Sequence, residues 1–434
     1  MSYLIINGGK KLHGEVPNQS AKNSAVSILC ATLLIKGKTT LVDMPDIEEV
    51  HRIIELLESL GVKFRWITKG TLEIDATADL NTKNINKMAA EKTRASIFLW
   101  SVLGTRLKEY SLPKAGGCHL GERTVRPHWY ALEKFGIEVK STECFYEVKN
   151  SPLKAAKIVL YESGDTTTEN AIMAAVLAVG KSTIKMASAN YMVQDLCYFL
   201  LKAGAKIKGI GTTTLEIEGV KKLNSVKNYP IMPDPIVAMT FVAVAITTGS
   251  NLTIKNCPLE FLELELEKLT VMGQKYNIKN ERKSKNGKFD IVDIEIIPSK
   301  LKALDDKIYG RPFPGLNIDN LPLFIPILTQ AQGRTLVHDW AYENRAVYAL
   351  ELQKLGAKVT LLDPHRLWVE GPIKFTPNDI VCPPALRPGV NVLICMLAAK
   401  GESKLSNTYP IERGYENFYE TLNSVGADIK IINQ

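Results

Sequence analysis

One cysteine, Cys118 in "SLPKAGGCHLGERTV" (Ser111 to Val125), sits among Gly116, Gly117 and Gly121, with Lys114 before it and Arg123 after it. Glycine flanks let a backbone move and a substrate come near, and neighbouring cations lower a thiol from about 8.5 toward neutrality. The pattern suits an activatable thiol on a lid; the alternative is an accidental exposed cysteine on a flexible loop. Other candidate groups gather where apolar helices are predicted to begin: Lys22 and Asn23 in "NQSAKN", Arg94 in "EKTRAS", Glu169 and Asn170 in "GDTTTEN", Asp234 in "MPDP", Asp319 in "NIDNLP" and Arg387 in "PALRPG". A helix start offers unpaired N–H groups and positive partial charge, which suits phosphate or carboxylate. A cation there opposes the dipole, so Lys22, Arg94 and Arg387 are disfavoured unless an anion visits. Taken singly, each of these residues also reads as a cap or a surface charge, and that reading stays open for Thr168, Glu169 and Asn170.

The elements that must hold these residues repeat with a period of about 70 residues. An apolar helical run ending at a glycine leads into a β-rich segment in "ATLLIKGKTTLVDM", "SVLGTRLKEYSL", "AAVLAVGKSTIKMA", "AVAITTGSNLTIKN", "LTQAQGRTLVHDW" and "MLAAKGESKLSNT". After each, an amphipathic helix ends at Gly61, Gly136, Gly204, Gly273, Gly356 or Gly426, where a helix C-terminus wants a left-handed residue before the next strand. The first helix of each unit is apolar on nearly every face and must be enclosed by protein. The pattern predicts an α/β (α+β) fold of six repeats. Solenoid units are usually shorter and would not enclose such helices, so two compact domains of three repeats are expected. Their boundary falls near "VKNYPIMPDP", around Tyr229, giving 21–230 and 1–20 plus 231–434, with the first strand completing the sixth unit.

Composition narrows the function. The chain has 434 residues, 45% apolar and 23% charged, which fits a folded multi-domain protein and not a disordered one. The net charge of +8 and the run "KNERKSKNGK" (Lys279 to Lys288), read as a solvated loop without interleaved aromatics, fit a small anionic substrate better than a nucleic acid. "MSYLIINGGKKLHGEV" alternates like a strand and lacks a signal-peptide layout, and no apolar span reaches membrane length, so a cytoplasmic protein is expected. Seven cysteines without close paired spacing argue against a disulfide framework and a zinc site; Cys30, Cys197, Cys257 and Cys395 read as packing residues. "GIGTTT" at Gly209 lacks the third glycine of a dinucleotide fingerprint and reads as a β-turn, and "NGGKKLHG" lacks P-loop spacing.

The stretches "QSAKNSAVSIL", "TRASIF", "SLPKAGGCHLGERTV", "TTTENAIMAA", "PDPI", "YENRAV", "LRPGVNVL" and "IERGYENF" resemble the enolpyruvyl transferases over the whole chain. The resemblance implies two similar domains, each an inside-out α/β barrel of three repeats, with the active site in the interdomain cleft. It implies transfer of the enolpyruvyl group of phosphoenolpyruvate to the 3-hydroxyl of the sugar in UDP-N-acetylglucosamine, by addition then elimination, with no metal and no organic cofactor. Lys22 would then hold the phosphate of phosphoenolpyruvate, and Arg94, Arg123, Arg387 and Arg413 would clamp phosphate and carboxylate groups. Asn23 would meet the sugar hydroxyl, and Thr124, Val125, Arg126, Pro127 and Ala341 would line the UDP-sugar along with Arg94, Arg123 and Asp319. Cys118 would protonate the methylene carbon and can form a covalent adduct. Asp319 would take the hydroxyl proton, with helix capping as its alternative role.

The sequence departs from the family where the nucleotide would sit. Thr124-Val125-Arg126 replaces a common Pro-Val-Asp run, "ESGDTTT" replaces the uridine loop, "FPGLNIDNLP" lengthens a short "FPTD" element, and Val237 stands where an acidic residue is often found. Three readings stay open: the UDP-N-acetylglucosamine activity, the same chemistry on another acceptor such as a nucleotide or shikimate 3-phosphate, and a non-catalytic paralogue that binds sugar nucleotides.

Overall fold

The computed structural model describes residues 3–116 and 124–432. Of these, 20–116 with 124–232 form one compact unit, and 3–19 with 233–432 form another. Each is a mixed α/β structure.

The apolar runs become enclosed helices. Every residue of Pro235–Thr248 is buried, as are Ser24 to Ala31 of Lys22–Ala31, Thr167 to Ala175 of Asp165–Ala175 and Arg387 to Leu397 of Leu386–Ala398. Burying each Val, Leu or Ile contributes about 1.5–3 kcal/mol, so these helices are held by their surroundings and not by propensity. In the 20–232 unit, Leu99–Gly104 packs against both Lys22–Ala31 and Asp165–Ala175; in the other, Pro235–Thr248, Phe324–Leu328 and Leu386–Ala398 pack on one another. Asp234 fixes the start of Pro235–Thr248, accepting hydrogen bonds from the amides of Ile236 (2.7 Å) and Val237 (3.3 Å). Pro235, at the helix start, has no N–H that needs a partner.

Six sheets are found among the described residues, and five share one order. Tyr229–Pro230 lies parallel to Lys38–Val42, which is antiparallel to Thr71–Asp75, which pairs in turn with Lys63–Thr68. The same order joins Lys157–Val159, Lys181–Lys185, Thr214–Glu218 and Lys206–Lys208. Glu109–Pro113, Phe145–Asn150 and Ile137–Ser141 form the three-stranded exception. Near the C-terminus, Tyr3–Gly8 is inserted between Gly401–Ser406 and Ile429–Ile432, while His13–Val16 joins Asn251–Pro258 in a different sheet. The N-terminal stretch read as one strand is therefore two, serving separate sheets.

The glycines that end the second helices behave as expected: Gly61, Gly136, Gly204, Gly273, Gly356 and Gly426 all have φ between 86° and 104°, where a side chain would be strained. Other expectations need correction. Ala346–Leu355, ahead of Gly356, is a 3-10 helix. Tyr191–Lys202 is buried over most of its length, because it packs on both Lys22–Ala31 and Asp165–Ala175 and so has no wide solvent face. Gly333 lies inside the strand Ala331–His338, since the preceding helix already stops at Leu328. The basic run is a loop only in its second half: 279–283 belong to the edge strand Lys275–Lys283, paired with Asp290–Ile297, and 284–288 form the turn between the two strands. Its charge is partly used inside the fold, where Arg282 and Lys255 each reach the buried Asp293 at 2.7 Å. Burial would raise the Asp293 carboxyl, but hydrogen bonds from Lys255, Asn280 and Arg282 outweigh it and hold the group below the usual carboxylate range. "GIGTTT" is the turn between Lys206–Lys208 and Thr214–Glu218. Among the described residues, no helix is long and apolar enough to cross a membrane.

Candidate active site

Lys22 is the first residue of Lys22–Ala31, a helix with no acidic residue in its first turn and no side-chain cap from Ala21. Asn23 follows, and its amide donates to the hydroxyl of Tyr191 at 3.0 Å; Tyr191 is itself buried at the start of its helix. Arg94 opens the 3-10 turn Arg94–Phe98, capped by the Thr93 hydroxyl, and its guanidinium donates to the Thr124 carbonyl at 3.1 Å. That bond brings together two of the residues expected along the UDP-sugar. Thr124 also accepts from the amide of Arg126 through its hydroxyl at 3.2 Å, so the chain enters Arg126–Glu133 with Arg126 exposed and Pro127 buried.

Glu169 and Asn170 lie in the second turn of Asp165–Ala175, buried, and not at its start. Neither is a cap. The amide of Asn170 donates to the Ile97 carbonyl at 3.3 Å and to Nδ1 of the buried His128 at 3.0 Å, while Ser101 donates to its oxygen at 2.6 Å. Burial pushes the Glu169 carboxyl well above its ordinary range; a hydrogen bond from Ser27 opposes this, and the Asp165 charge adds to it.

In the other unit, Arg387 lies in the first turn of Leu386–Ala398, again without an acidic residue in that turn. Its guanidinium donates to the hydroxyl of Tyr415 and stands over the same ring, 5.4 Å from its centre. Thr240 donates its proton to the Ile236 carbonyl at 2.8 Å. The Tyr415 hydroxyl, 2.7 Å from Thr240, therefore donates to Thr240 and accepts from Arg387. Arg413 ends the short helix Tyr409–Glu412. The segment beyond it is clamped by Gln19, whose amide donates to the Gly414 carbonyl (3.0 Å) and accepts from the Glu416 amide (2.9 Å). "IERGYENF" suggested Arg413 but gave no sign that Tyr415 serves Arg387 or that Gln19 closes on this segment.

Asp319 is not a helix cap. Asn320 stands at the cap position of Leu321–Leu323 without a side-chain bond, and the Asp319 carboxylate instead accepts from Nη1 of Arg345 at 3.3 Å. Arg345 is buried and grips Asp339 with two bonds, 2.5 Å from Nε and 2.8 Å from Nη2. Its guanidinium stands 4.2 Å from the Tyr342 ring centre. Burial acts to lower the Arg345 proton affinity, but Asp339 and then Tyr342 and Asp319 more than offset it, so the group is held charged. Ala341 lies between Asp339 and Arg345, half-buried. Sequence reading pointed to "YENRAV" without identifying Arg345 or Asp339 as partners of Asp319.

Cys118 and Arg123 lie outside the described residues. Cys30, Cys197, Cys257, Cys382 and Cys395 are buried, and Cys144 is exposed. Burial pushes the buried thiols up, Cys382 to about 12, which removes them as nucleophiles near neutral pH. Among the described residues, no group of three or more His, Cys, Asp or Glu side chains could hold a metal ion.

Cations at the starts of enclosed helices, with an oriented carboxylate, suit a transferase that handles anionic substrates. The chain belongs to the EPSP synthase family of enolpyruvyl transferases: EPSP synthase (3-phosphoshikimate 1-carboxyvinyltransferase) matches residues 6–422. It is 33% identical over 437 residues to a UDP-N-acetylglucosamine 1-carboxyvinyltransferase from Bacteroides fragilis, covering 99% of both chains. It is also 34% identical over 429 residues to the UDP-N-acetylglucosamine 1-carboxyvinyltransferase 2 of Caldanaerobacter subterraneus, again covering 99% of both. Among solved structures, its fold matches the enolpyruvyl transferase NikO from Streptomyces tendae with a TM-score of 0.87 at 21% identity, covering 100% of this chain and 99% of that one. The EPSP synthase of Acinetobacter baumannii matches at 0.76 and 18%, covering 100% of both.

Proposed function

We propose that this enolpyruvyl transferase moves the enolpyruvyl group of phosphoenolpyruvate onto the 3-hydroxyl of UDP-N-acetylglucosamine in the cytoplasm, the first committed step of peptidoglycan synthesis. The observation that carries the reading is the pair Lys22 and Arg387, each in the first turn of an enclosed helix whose first turn has no acidic residue. Such positions favour a doubly anionic ligand. The two full-length relatives supply the acceptor. On this reading the six sheets belong to six repeats, three to each inside-out barrel domain, with domains 21–230 and 1–20 plus 231–434.

Lys22, Arg123, Arg387 and Arg413 hold the phosphate and carboxylate of phosphoenolpyruvate, and Asn23 meets the acceptor hydroxyl. Arg94, Thr124, Val125, Arg126, Pro127 and Ala341 line the nucleotide sugar. Asp319 takes the hydroxyl proton as the oxygen bonds to C2 of phosphoenolpyruvate, and Cys118 gives a proton to the methylene carbon, forming a tetrahedral intermediate. Loss of a proton from the new methyl group and departure of phosphate restore the double bond.

A second reading, the same chemistry on another nucleotide, is favoured by Arg126, an exposed cation where the family commonly has a carboxylate. The test is phosphate release from phosphoenolpyruvate with UDP-N-acetylglucosamine, UMP, shikimate 3-phosphate or no acceptor. Release with UDP-N-acetylglucosamine is expected; release with UMP alone would establish the second reading. Binding without release from any of them would mark a non-catalytic protein.

A further inference from the structure

The side-chain amide of Asn23 has more hydrogen-bonding capacity than the protein uses. Its nitrogen donates to the Tyr191 hydroxyl at 3.0 Å. Such an amide also carries a second N–H and a carbonyl oxygen, and among the described residues neither meets a partner. Asn23 is half-buried in the first turn of Lys22–Ala31, whereas Tyr191 is fully enclosed, 0% exposed. The bond therefore runs inward and leaves the other two groups on the open side of the helix start.

Tyr191 is itself fixed. The Asn190 side chain accepts from the Tyr191 amide at 2.9 Å and donates to the Asp165 carboxylate at 3.2 Å. Ser188 donates to the other oxygen of Asp165 at 2.5 Å and accepts from the Asn190 amide at 3.2 Å. Asp165 is the first residue of Asp165–Ala175, and Tyr191–Lys202 packs on that helix and on Lys22–Ala31. A line of bonded groups thus runs from one helix start to another and ends at the Asn23 amide. Without the bond to Tyr191, that amide is free to turn and offers its donor and acceptor in changing directions. With it, one N–H and the carbonyl stand fixed beside Lys22, which has donors only. A phosphate or carboxylate takes donors alone and is served by Lys22. A hydroxyl both donates and accepts, and it is the group that fits what Asn23 presents.

We propose that Tyr191 is a positioning residue for Asn23, its hydroxyl locking the amide so that the remaining N–H and carbonyl meet the acceptor hydroxyl that receives the enolpyruvyl group. This rests on the proposed contact between Asn23 and that hydroxyl. As the hydroxyl loses its proton, the N–H of Asn23 stays on the oxygen and keeps it directed. Tyr191, with no exposed surface, acts through Asn23.

The experiment is titration calorimetry on the full-length protein with UDP-N-acetylglucosamine and with the same nucleotide sugar lacking the 3-hydroxyl, alongside phosphate release. The parent should bind the complete acceptor more tightly than the deoxy ligand. Tyr191→Phe keeps the ring and should weaken the complete acceptor by about fivefold, the scale of one hydrogen bond, while the deoxy ligand changes by less than about twofold. It should also lower kcat by about 10- to 100-fold, the scale of a misplaced reacting group, with KM for phosphoenolpyruvate changed less than about threefold. In an Asn23→Ala background the same substitution should cost less than about a further twofold, because there is no amide left to lock. Equal weakening of the two ligands, a loss that multiplies in the double variant, or an effect confined to KM for phosphoenolpyruvate would overturn the inference and leave the function standing. A lower melting temperature with the preference for the complete acceptor unchanged would do the same. If Tyr191→Phe does not fold, Asn23→Asp carries the comparison: it keeps shape and reach but has no N–H for Tyr191, so the preference should fall likewise, and a full preference would overturn the inference. A parent that binds the two ligands alike yet turns over the complete one would remove the Asn23 contact and this inference but not the function; a parent that binds neither would remove both.

Discussion

Tyr415→Phe isolates one hydroxyl. The ring stays in place, stacked on Phe418 at 4.5 Å and 27°, so packing is conserved and only two hydrogen bonds are lost. Thr240 keeps its bond to the Ile236 carbonyl and loses an incoming donor. Arg387 loses one oxygen that it donates to. A hydrogen bond to a charged group contributes about 1.5–3 kcal/mol to stability. In a unit of about 200 residues, each kcal/mol shifts melting by about 2–4 °C, so a drop of roughly 3–12 °C is expected. If Arg387 clamps phosphoenolpyruvate in the orientation that Tyr415 fixes, about 1–2 kcal/mol of that loss falls on donor binding, raising KM for phosphoenolpyruvate by about 5- to 30-fold. KM for the acceptor should change less than threefold. The assay is initial-rate phosphate release with each substrate varied in turn, alongside a melting curve. A lower melting temperature with KM for phosphoenolpyruvate unchanged within about twofold would refute the reasoning: Tyr415 would then be a packing residue and Arg387 no part of the donor site.

Two further predictions follow from buried groups. Glu169, whose carboxyl is raised by burial, contributes stability that is complete below its unfolded value of about 4.3 and is lost as pH rises toward its folded value. Glu169→Gln should therefore melt like the parent near pH 5 and progressively above it toward pH 9, by up to about 1.4 kcal/mol per pH unit over the interval; parallel pH slopes would contradict the assignment. For the thiols, fosfomycin should add its mass at Cys118 and nowhere else, and a general alkylating reagent should also reach the exposed Cys144 while sparing Cys30, Cys197, Cys257, Cys382 and Cys395. An adduct on Cys30 or Cys382 would count against both the burial argument and the role of Cys118.

Features fixed by a few neighbouring residues were legible in the sequence. A glycine closing a helix before a strand depends on local backbone geometry, and all six proposed positions adopt the left-handed conformation. Asp234 followed by proline reads as a helix start for the same reason, and it caps one. Helices apolar on all faces had to be enclosed, and they are. What depends on distant partners was not legible. Helix capping stayed open as the alternative role of Asp319 because an Asp precedes a helical stretch, but its carboxylate is engaged by Arg345, 26 residues away. Glu169 looked like part of a helix start; its helix begins four residues earlier, at Asp165, and so carries it into the core. The lysines of the basic run are exposed, as read, but the first half of the run is strand and its Arg282 turns to Asp293, a partner on the neighbouring strand that the run itself does not reveal.

The partners of the cations separate two kinds of site. Arg282 and Lys255 meet at a buried carboxylate, and Arg345 closes its fork on another. Their charge is matched inside the fold, as burial of ions requires. Arg387 is oriented by a phenol oxygen and Arg94 by a peptide carbonyl. A neutral acceptor fixes where a guanidinium points without cancelling its charge. These two arginines stand at helix starts, where the dipole adds positive potential instead of removing it. Because the Tyr415 hydroxyl accepts from Arg387 and carries no charge, removing it changes where the guanidinium points and leaves its charge in place, which makes Tyr415 a clean probe of donor binding.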